Sequence, residues 1–275
     1  MSKQFLVVGD PVDHSKSPDI HRAAYSVLGL DWTYGRLRVA KNDLRQVLDN
    51  APESLAGFSV TMPLKDEAAR NVVSMDSFAQ KTGAVNTIVR TEQGWVGHNT
   101  DVFGIIMALR DLVPDGQPTF GVVGAGATAK SVLVAISILR PKSRIRVFCR
   151  SKDAFEALKK FGKGLDLKLK RAKTLKSLVS KSMLTISTLP SGALDGYLDR
   201  AKLQKHIRGP LFDVAYNPWP SEAAKLWLAS GQRVVSGIEM LIWQAVAQLR
   251  LFVNGDHSEL TNEVAVVEAM RHAAE

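Results

Sequence analysis

The chain has only one cysteine among its 275 residues, Cys149, so it cannot close an internal disulfide, and a reducing compartment suits it. Long apolar runs are also missing; none approaches the roughly 20 residues that span a bilayer. The opening Met1-Ser-Lys-Gln-Phe-Leu-Val-Val-Gly9 lacks the apolar stretch and cleavage site of a signal peptide. Together these absences predict a cytoplasmic protein. Histidines are few and dispersed. His14 and His21 stand apart with no cysteine or carboxylate at ligand spacing, and His98, His206, His257 and His272 are scattered, so no metal site is expected. No internal repeat or low-complexity segment is present.

Acidic residues are in short supply, 27 against 36 basic ones, for a net charge of +9. The surplus is concentrated between Lys159 and Lys181, where nine Lys or Arg residues face one acid, Asp166. Nucleic-acid binding by stacking needs interleaved aromatics, and only Phe161 lies in this segment. The segment is therefore read as a solvated basic face, or as one that steers an anionic substrate or cofactor, and nucleic acid is not expected as a partner.

The clearest local signal is Thr119-Phe-Gly-Val-Val-Gly-Ala-Gly-Ala-Thr-Ala-Lys130. A β-prone run ends at Val123, Gly124-x-Gly126-x-x-Ala129 follows, and Lys130–Leu139 has helical character. Strand, glycine turn and helix start form a dinucleotide-binding fingerprint. In it Gly124 permits the tight turn, Gly126 admits a pyrophosphate, and Ala129 keeps the helix close to its strand. From here strands at Arg144–Phe148, Leu165–Leu169, Met183–Thr188, Leu211–Val214 and Gln232–Val235 alternate with helices, which predicts a doubly wound parallel unit.

Before this unit the chain reads as strands at Phe5–Val8, Trp32–Val39 and Gly57–Val60, a hairpin of Gly83–Arg90 with Gly94–His98, and intervening helices. Asn42 or Asp43 is expected to cap the helix through Leu44 and Leu48. After it come two amphipathic helices, Ile238–Val253 and Ser258–Ala273, expected to return to the first half. Four polar clusters fall at strand ends or turns of that half: Ser15/Ser17, Thr61/Lys65, Asn86 and Asn99/Asp101. Hydroxyls, an amide, an ammonium and a carboxylate suit a small, oxygen-rich anion.

Several blocks then identify a family. Gly9-Asp-Pro-Val-Asp-His-Ser-Lys-Ser-Pro-Asp-Ile-His21, Ser59-Val-Thr-Met-Pro-Leu-Lys65, Gly83-Ala-Val-Asn-Thr87, Asn99-Thr-Asp101, Asp213-Val-Ala-Tyr-Asn-Pro218 and Gly237-Ile-Glu-Met-Leu-Ile-Trp-Gln244 occur in the order found in shikimate dehydrogenases. The chain closely resembles that family, in a form similar to its actinobacterial branch. The resemblance implies reversible NADPH-dependent reduction of 3-dehydroshikimate to shikimate, in chorismate and aromatic amino acid biosynthesis. It also implies a two-domain α/β fold. A mixed-sheet substrate domain is formed by both chain ends (1–103 plus 238–275), and a doubly wound Rossmann NADP domain (104–237) is inserted between them.

Carried over by position, the resemblance makes Lys65 and Asp101 the catalytic pair. Ser15 and Ser17 would bind the substrate carboxylate, and Thr61, Asn86, Asp101 and Gln244 would hold ring hydroxyls. Tyr216 would close over the substrate, and Gly237 would lie against the nicotinamide. The remaining cofactor contacts would come from Gly124, Ala125, Gly126, Ala127, Thr128, Ala129, Arg150, Ser151, Lys152 and Thr188. NADP rather than NAD is also favoured by the residues themselves. After Arg144–Phe148 the chain reads Cys149-Arg150-Ser151-Lys152, with no acid before Asp153 to grip a ribose 2′-hydroxyl, while Arg150 suits a 2′-phosphate.

Three segments depart from the usual family pattern: Ser59 in place of Asn, Ala127-Thr128 in place of Gly-Ala, and Cys149-Arg150-Ser151 in place of Asn-Arg-Thr. Two rivals stand beside this reading. One is a quinate/shikimate dehydrogenase using NAD, and the other is a non-catalytic NADP-binding regulator. Either a monomer or a homodimer is compatible with the sequence.

Overall fold

The computed structural model describes residues 2–275, apart from the side chains of Arg200 and Ala201. The chain divides into two compact units. One comprises the chain up to Gly104 together with Leu241–Glu275; the other is Ile105–Met240.

The first unit carries β1 (Gln4–Gly9), α1 (Ser17–Val27), β2 (Thr33–Arg38), α2 (Leu44–Asp49), β3 (Leu55–Val60) and α3 (Lys65–Asn71). It continues with β4 (Ser74–Met75), α4 (Ser77–Thr82), β5 (Thr87–Thr91), β6 (Gly94–His98) and the start of α5 (Asp101–Leu109). The strands form a six-stranded sheet in the order β2-β1-β3-β5-β6-β4. β5 alone runs against its neighbours; it pairs antiparallel with β3 and with β6, while the other pairings are parallel. β1 and β3 are buried over most of their length and β5 at its first two residues, and Val8, Phe58, Val60 and Ile88 pack with Leu44, Leu48, Leu64 and Ala68 of the neighbouring helical segments.

The expected cap of α2 is not local. Asp43 occupies the N-cap position but makes no side-chain bond there. Instead the buried carboxylate of Glu67, on α3, accepts the Asn42 N–H at 2.7 Å and the Leu44 N–H at 2.9 Å. One anion thus satisfies two donors at the helix start and ties α2 to α3.

The second unit begins within α5 and carries β7 (Thr119–Val123), α6 (Ala127–Leu139), β8 (Arg144–Phe148), α7 (Lys152–Lys163), β9 (Lys168–Arg171) and α8 (Leu175–Val179). There follow β10 (Leu184–Ser187), α9 (Arg200–Leu203), β11 (Leu211–Asp213), α10 (Glu222–Ala229) and β12 (Val234–Ser236). Its strands are all parallel, in the order β12-β11-β10-β7-β8-β9, which is the doubly wound arrangement of a dinucleotide-binding sheet. One core cluster joins Val123 and Leu211 to Leu175, Leu178, Leu226 and Trp227. The chain returns through α11 (Gly237–Asn254) and ends in α12 (Glu263–Ala274), which packs on α1.

Element boundaries moved where a side chain or a left-handed residue intervenes. β9 starts at Lys168 rather than Leu165 because α7 runs on to Lys163 and turns through Asp166, at φ 56°, with the Leu167 N–H returning to the Gly162 carbonyl. α12 starts at Glu263 rather than Ser258. Asn254 donates to Ser258 and Glu259, Asp256 accepts from the Ser258 N–H, and Asn262 sits at φ 56°. α6 begins three residues before the helix expected from Lys130, directly on the glycine turn. The apolar spacing after Asp101 predicts a helix from Val102 to Leu112, whereas α5 ends at Leu109.

Candidate active site

The reversed β5 decides where the polar clusters meet. Ser15 and Ser17 follow β1, Thr61 and Lys65 follow β3, and Asp101 follows β6. Asn86 precedes β5, yet because that strand is antiparallel its first residues lie beside the last residues of β3 and β6. The Val60 N–H donates to the Asn86 carbonyl at 2.7 Å, and the Asn86 N–H donates to the His98 carbonyl at 3.0 Å. The loops after β1 and β3 are also joined, by the Asp10 N–H on the Met62 carbonyl at 3.0 Å. All four clusters therefore border one edge of the first unit's sheet.

Lys65 Nζ lies 2.5 Å from Asp101 Oδ2, with side-chain exposures of 17% and 6%. Lys65 is the first residue of α3 and Asp101 the first of α5. The other carboxylate oxygen, Oδ1, accepts from Asn86 Nδ2 at 2.9 Å. Asn86 is held in turn on both ends of its amide. Nδ2 also reaches Thr100 Oγ1 at 2.9 Å and Gln244 Oε1 at 3.3 Å, and Oδ1 accepts the Thr100 N–H at 2.8 Å and the Thr87 hydroxyl at 3.0 Å. An amide bonded at every position has a defined orientation, so the Asp101 carboxylate does too. Its neighbour Asn99 serves the fold. It donates to Thr82 Oγ1 and to the Ala84 carbonyl, both at 2.9 Å.

The network extends beyond the residues the sequence singled out. Gln248, fully buried one helical turn after Gln244, donates to Thr87 Oγ1 at 2.9 Å and accepts from Ser59 Oγ at 2.8 Å. The Tyr34 hydroxyl donates to Ser59 Oγ, and the Tyr34 ring stacks on His21 at a centroid separation of 4.1 Å. His21 Nδ1 lies 2.9 Å from the Ser17 carbonyl oxygen. Polar contacts and one ring stack thus run from Lys65 to the helix start that carries Ser17. Only the glutamine's spacing from Gln244, i and i+4 on one helix face, was available in the sequence as a signal.

Ser17 is buried and opens α1, while Ser15 is half-buried and its hydroxyl accepts the Ser17 N–H at 3.3 Å. Thr61 is half-buried at the end of β3. Gln244 is held by its own donor, Nε2, on the Leu241 carbonyl at 2.8 Å.

In the second unit Gly124 opens the glycine turn at φ +108°, and a Cβ there would run into Thr188 Oγ1. Thr188 in turn donates its hydroxyl to the Val123 carbonyl at 2.8 Å, which closes the floor of the turn. Gly126 is exposed and extended, with open space where a side chain would stand, and it precedes the 13-residue α6 without any side-chain cap. Ala125, Ala127 and Thr128 are half-buried around this opening, and Ala129 is buried against the sheet. An uncapped helix start behind a side-chain-free turn is a place for a pyrophosphate.

At the end of β8, Arg150, Ser151 and Lys152 are exposed. Ser151 caps α7 by accepting the Ala154 N–H at 3.1 Å, so its hydroxyl keeps a hydrogen to donate. Arg171, absent from the sequence-based set, donates Nη2 to the Cys149 and Arg150 carbonyls at 3.2 and 2.9 Å and so braces this loop from the neighbouring strand. The donor set fits a 2′-phosphate. Tyr216 is half-buried after β11, and burial raises its hydroxyl pKa. Asp213, at the end of that strand, takes the Ser221 hydroxyl at 2.7 Å and the Ala215 N–H at 3.2 Å, which holds the loop carrying Tyr216. Gly237 approaches this loop so closely that a Cβ would collide with the Val214 carbonyl.

A dinucleotide-type sheet in one unit, with a part-buried ammonium–carboxylate pair at the sheet edge of the other, defines a two-domain α/β oxidoreductase. The profile for the shikimate dehydrogenase substrate binding domain matches residues 7–88. Shikimate dehydrogenase (NADP(+)) of Methanosarcina acetivorans is 32% identical over 98% of this chain and 100% of its own length. The crystal structure of Mycobacterium tuberculosis shikimate dehydrogenase superposes with a TM-score of 0.85 at 32% identity, covering 98% of this chain and 99% of that one. Thermus thermophilus shikimate 5-dehydrogenase, solved with NADP(H) and shikimate, gives 0.83 at 27% identity over 98% and 99%. Corynebacterium glutamicum quinate dehydrogenase, solved with NAD, gives 0.83 at 25% identity over 99% and 98%. The chain is an enzyme and belongs to the shikimate dehydrogenase family.

Proposed function

We propose that this enzyme catalyses the reversible NADPH-dependent reduction of 3-dehydroshikimate to shikimate, within chorismate and aromatic amino acid biosynthesis. The observation that carries the proposal is the Lys65–Asp101 pair, at 2.5 Å, on the edge where the polar loops converge. The first unit is read as the substrate domain and the second as the cofactor domain. Bound NADPH supplies the hydride that reduces the ring ketone. The charge that develops on the ketone oxygen is met by the Lys65 ammonium, which stabilises it and then gives it a proton. Asp101 keeps Lys65 charged and oriented and accepts from the adjacent ring hydroxyl.

Thr61 and Gln244 are assigned to ring hydroxyls, and Ser15 and Ser17 to the carboxylate. Asn86 shares the hydroxyl contacts, and its saturated amide supports a second role as the group that aims Asp101. Tyr216 is assigned to closure over the substrate and Gly237 to the nicotinamide. The turn of Gly124, Ala125, Gly126, Ala127, Thr128 and Ala129, with Thr188 beneath it, takes the pyrophosphate; Arg150, Ser151 and Lys152 take the 2′-phosphate. Ser59 and the likeness to the mycobacterial structure support the actinobacterial form. The enzyme is read as cytoplasmic, monomeric or homodimeric, and without a nucleic-acid partner; no helix among the described residues is long and apolar enough to cross a membrane.

A second reading, quinate oxidation with NAD, is kept by the likeness to the Corynebacterium enzyme. Quinate bears an extra ring hydroxyl where shikimate has a planar alkene carbon, and the presence of both Ser15 and Ser17 favours shikimate. Steady-state rates with shikimate and quinate, each under NADP+ and NAD+, test the two. Shikimate with NADP+ should give the highest kcat/KM; a preference for quinate with NAD+ would overturn the proposal.

A further inference from the structure

Outside the reaction site, the fold of the first unit gathers three groups that are remote in sequence. Ligand atoms of Asp76, His98 and His257 all lie within 4.8 Å of one another. Asp76 is the N-cap of α4, His98 ends β6, and His257 sits in the turn after α11. We propose that Asp76, His98 and His257 form a binding site for a borderline divalent cation of the Zn2+ type.

The geometry favours a cation over a simple aspartate–histidine hydrogen bond. His98 Nδ1 stands 3.6 Å from Asp76 Oδ2, too far to share a hydrogen. The nitrogen is buried and has no hydrogen-bond partner among the described residues. Two ligands bound at about 2.0–2.2 Å around a tetrahedral ion stand roughly 3.3–3.6 Å apart, which matches this spacing. The rings of His98 and His257 meet edge-on, at 77° and 6.1 Å between centroids, an arrangement in which both can direct a nitrogen at one point.

The carboxylate is already oriented from behind. Its Oδ1 accepts the Ala79 N–H at 2.6 Å and the Asn99 N–H at 3.3 Å, and its Oδ2 lies 3.4 Å from the Asn99 nitrogen. Such outer contacts raise the definition of a ligand. Two imidazoles and one carboxylate suit Zn2+ and leave a fourth position for water. Bound there, the ion braces the end of β6, two residues before Thr100.

The test uses the full chain without a histidine tag, titrated with Zn2+ by calorimetry and followed by thermal melting. One equivalent should bind at micromolar concentration and raise the melting temperature. His257 is exposed, so His257→Ala should fold normally yet lose about tenfold or more in affinity, together with the thermal shift. His98→Gln should lose binding further, while His14→Ala and His272→Ala should bind as the parent does. No stoichiometric binding by the parent chain, or equal binding by His257→Ala, would overturn the site. Because the readout is binding and not turnover, the result stands apart from the reaction proposed above.

Discussion

Lys65 and Asp101 are 36 positions apart, yet their charges meet at 2.5 Å in surroundings nearly closed to water. A positioned proton donor contributes ~10²–10⁴-fold to turnover. Lys65→Ala should therefore lower kcat by that range with a much smaller change in KM, and turnover close to the parent's would remove Lys65 from the chemistry. The same change leaves the Asp101 carboxylate without its cation, held only by Asn86 Nδ2, and is therefore also destabilising. The melting temperature should fall alongside, and turnover is to be compared below it. In the second unit, Arg150 is exposed beside the Ser151 cap and its loop is braced by Arg171. Arg150→Ala should raise KM for NADPH by about tenfold or more, the loss expected of one charge-assisted contact, and leave KM for NADH nearly unchanged. Equal losses with both cofactors would take the 2′-phosphate from Arg150.

Among the elements, α2 shows how far a local signal can mislead. Asn42 and Asp43 have the chemistry of a cap, but Glu67 supplies it from the next helix. Glu67→Ala would strand two donors at a helix start and should lower stability by roughly 2–4 kcal/mol, since bonds to a charged group contribute more than neutral ones. Glu67→Gln keeps an acceptor and should cost less; denaturant unfolding of the two variants decides it, and an unchanged midpoint for the alanine variant would rule out the cap. β5 carries a lesson of the same kind. Its hairpin with β6 was readable, but its second antiparallel pairing, with β3, is what puts Asn86, at the strand's beginning, beside the ends of both strands.

The whole molecule should be acid-sensitive through His21. This residue is fully buried among Tyr25, Tyr34 and Phe252, and burial lowers its pKa to about 4, against smaller opposing contributions from the Ser17 carbonyl and Gln248. The unfolded chain takes up the proton near pH 6.5, whereas the folded chain resists until about pH 4. The unfolded state thus binds more protons in that window, so stability is complete above pH 6.5 and falls as the pH drops. The total loss should be about 3 kcal/mol, at up to ~1.4 kcal/mol per pH unit. Urea unfolding between pH 7 and pH 4 should show a shallower slope for His21→Gln than for the parent chain. Equal slopes would mean that His21 is protonated alike in both states.

What could be read in the sequence rests on interactions between near neighbours. Period-two and helical spacing located most strands and helices, and Gly124-x-Gly126-x-x-Ala129 marked the turn because backbone conformation there depends on the residues themselves. The pairing of Lys65 with Asp101 was implied by the family resemblance, and no spacing contained it. Tertiary structure alone decided the rest: the capping of α2 by Glu67, the Gln248–Ser59–Tyr34 extension, the bracing of Arg150 by Arg171, and the gathering of Asp76, His98 and His257. Each of these depends on strand order and direction, which bring together side chains from distant parts of the chain. Their mutual distances are set by the packing of the sheet, and residue type and local spacing carry no record of them.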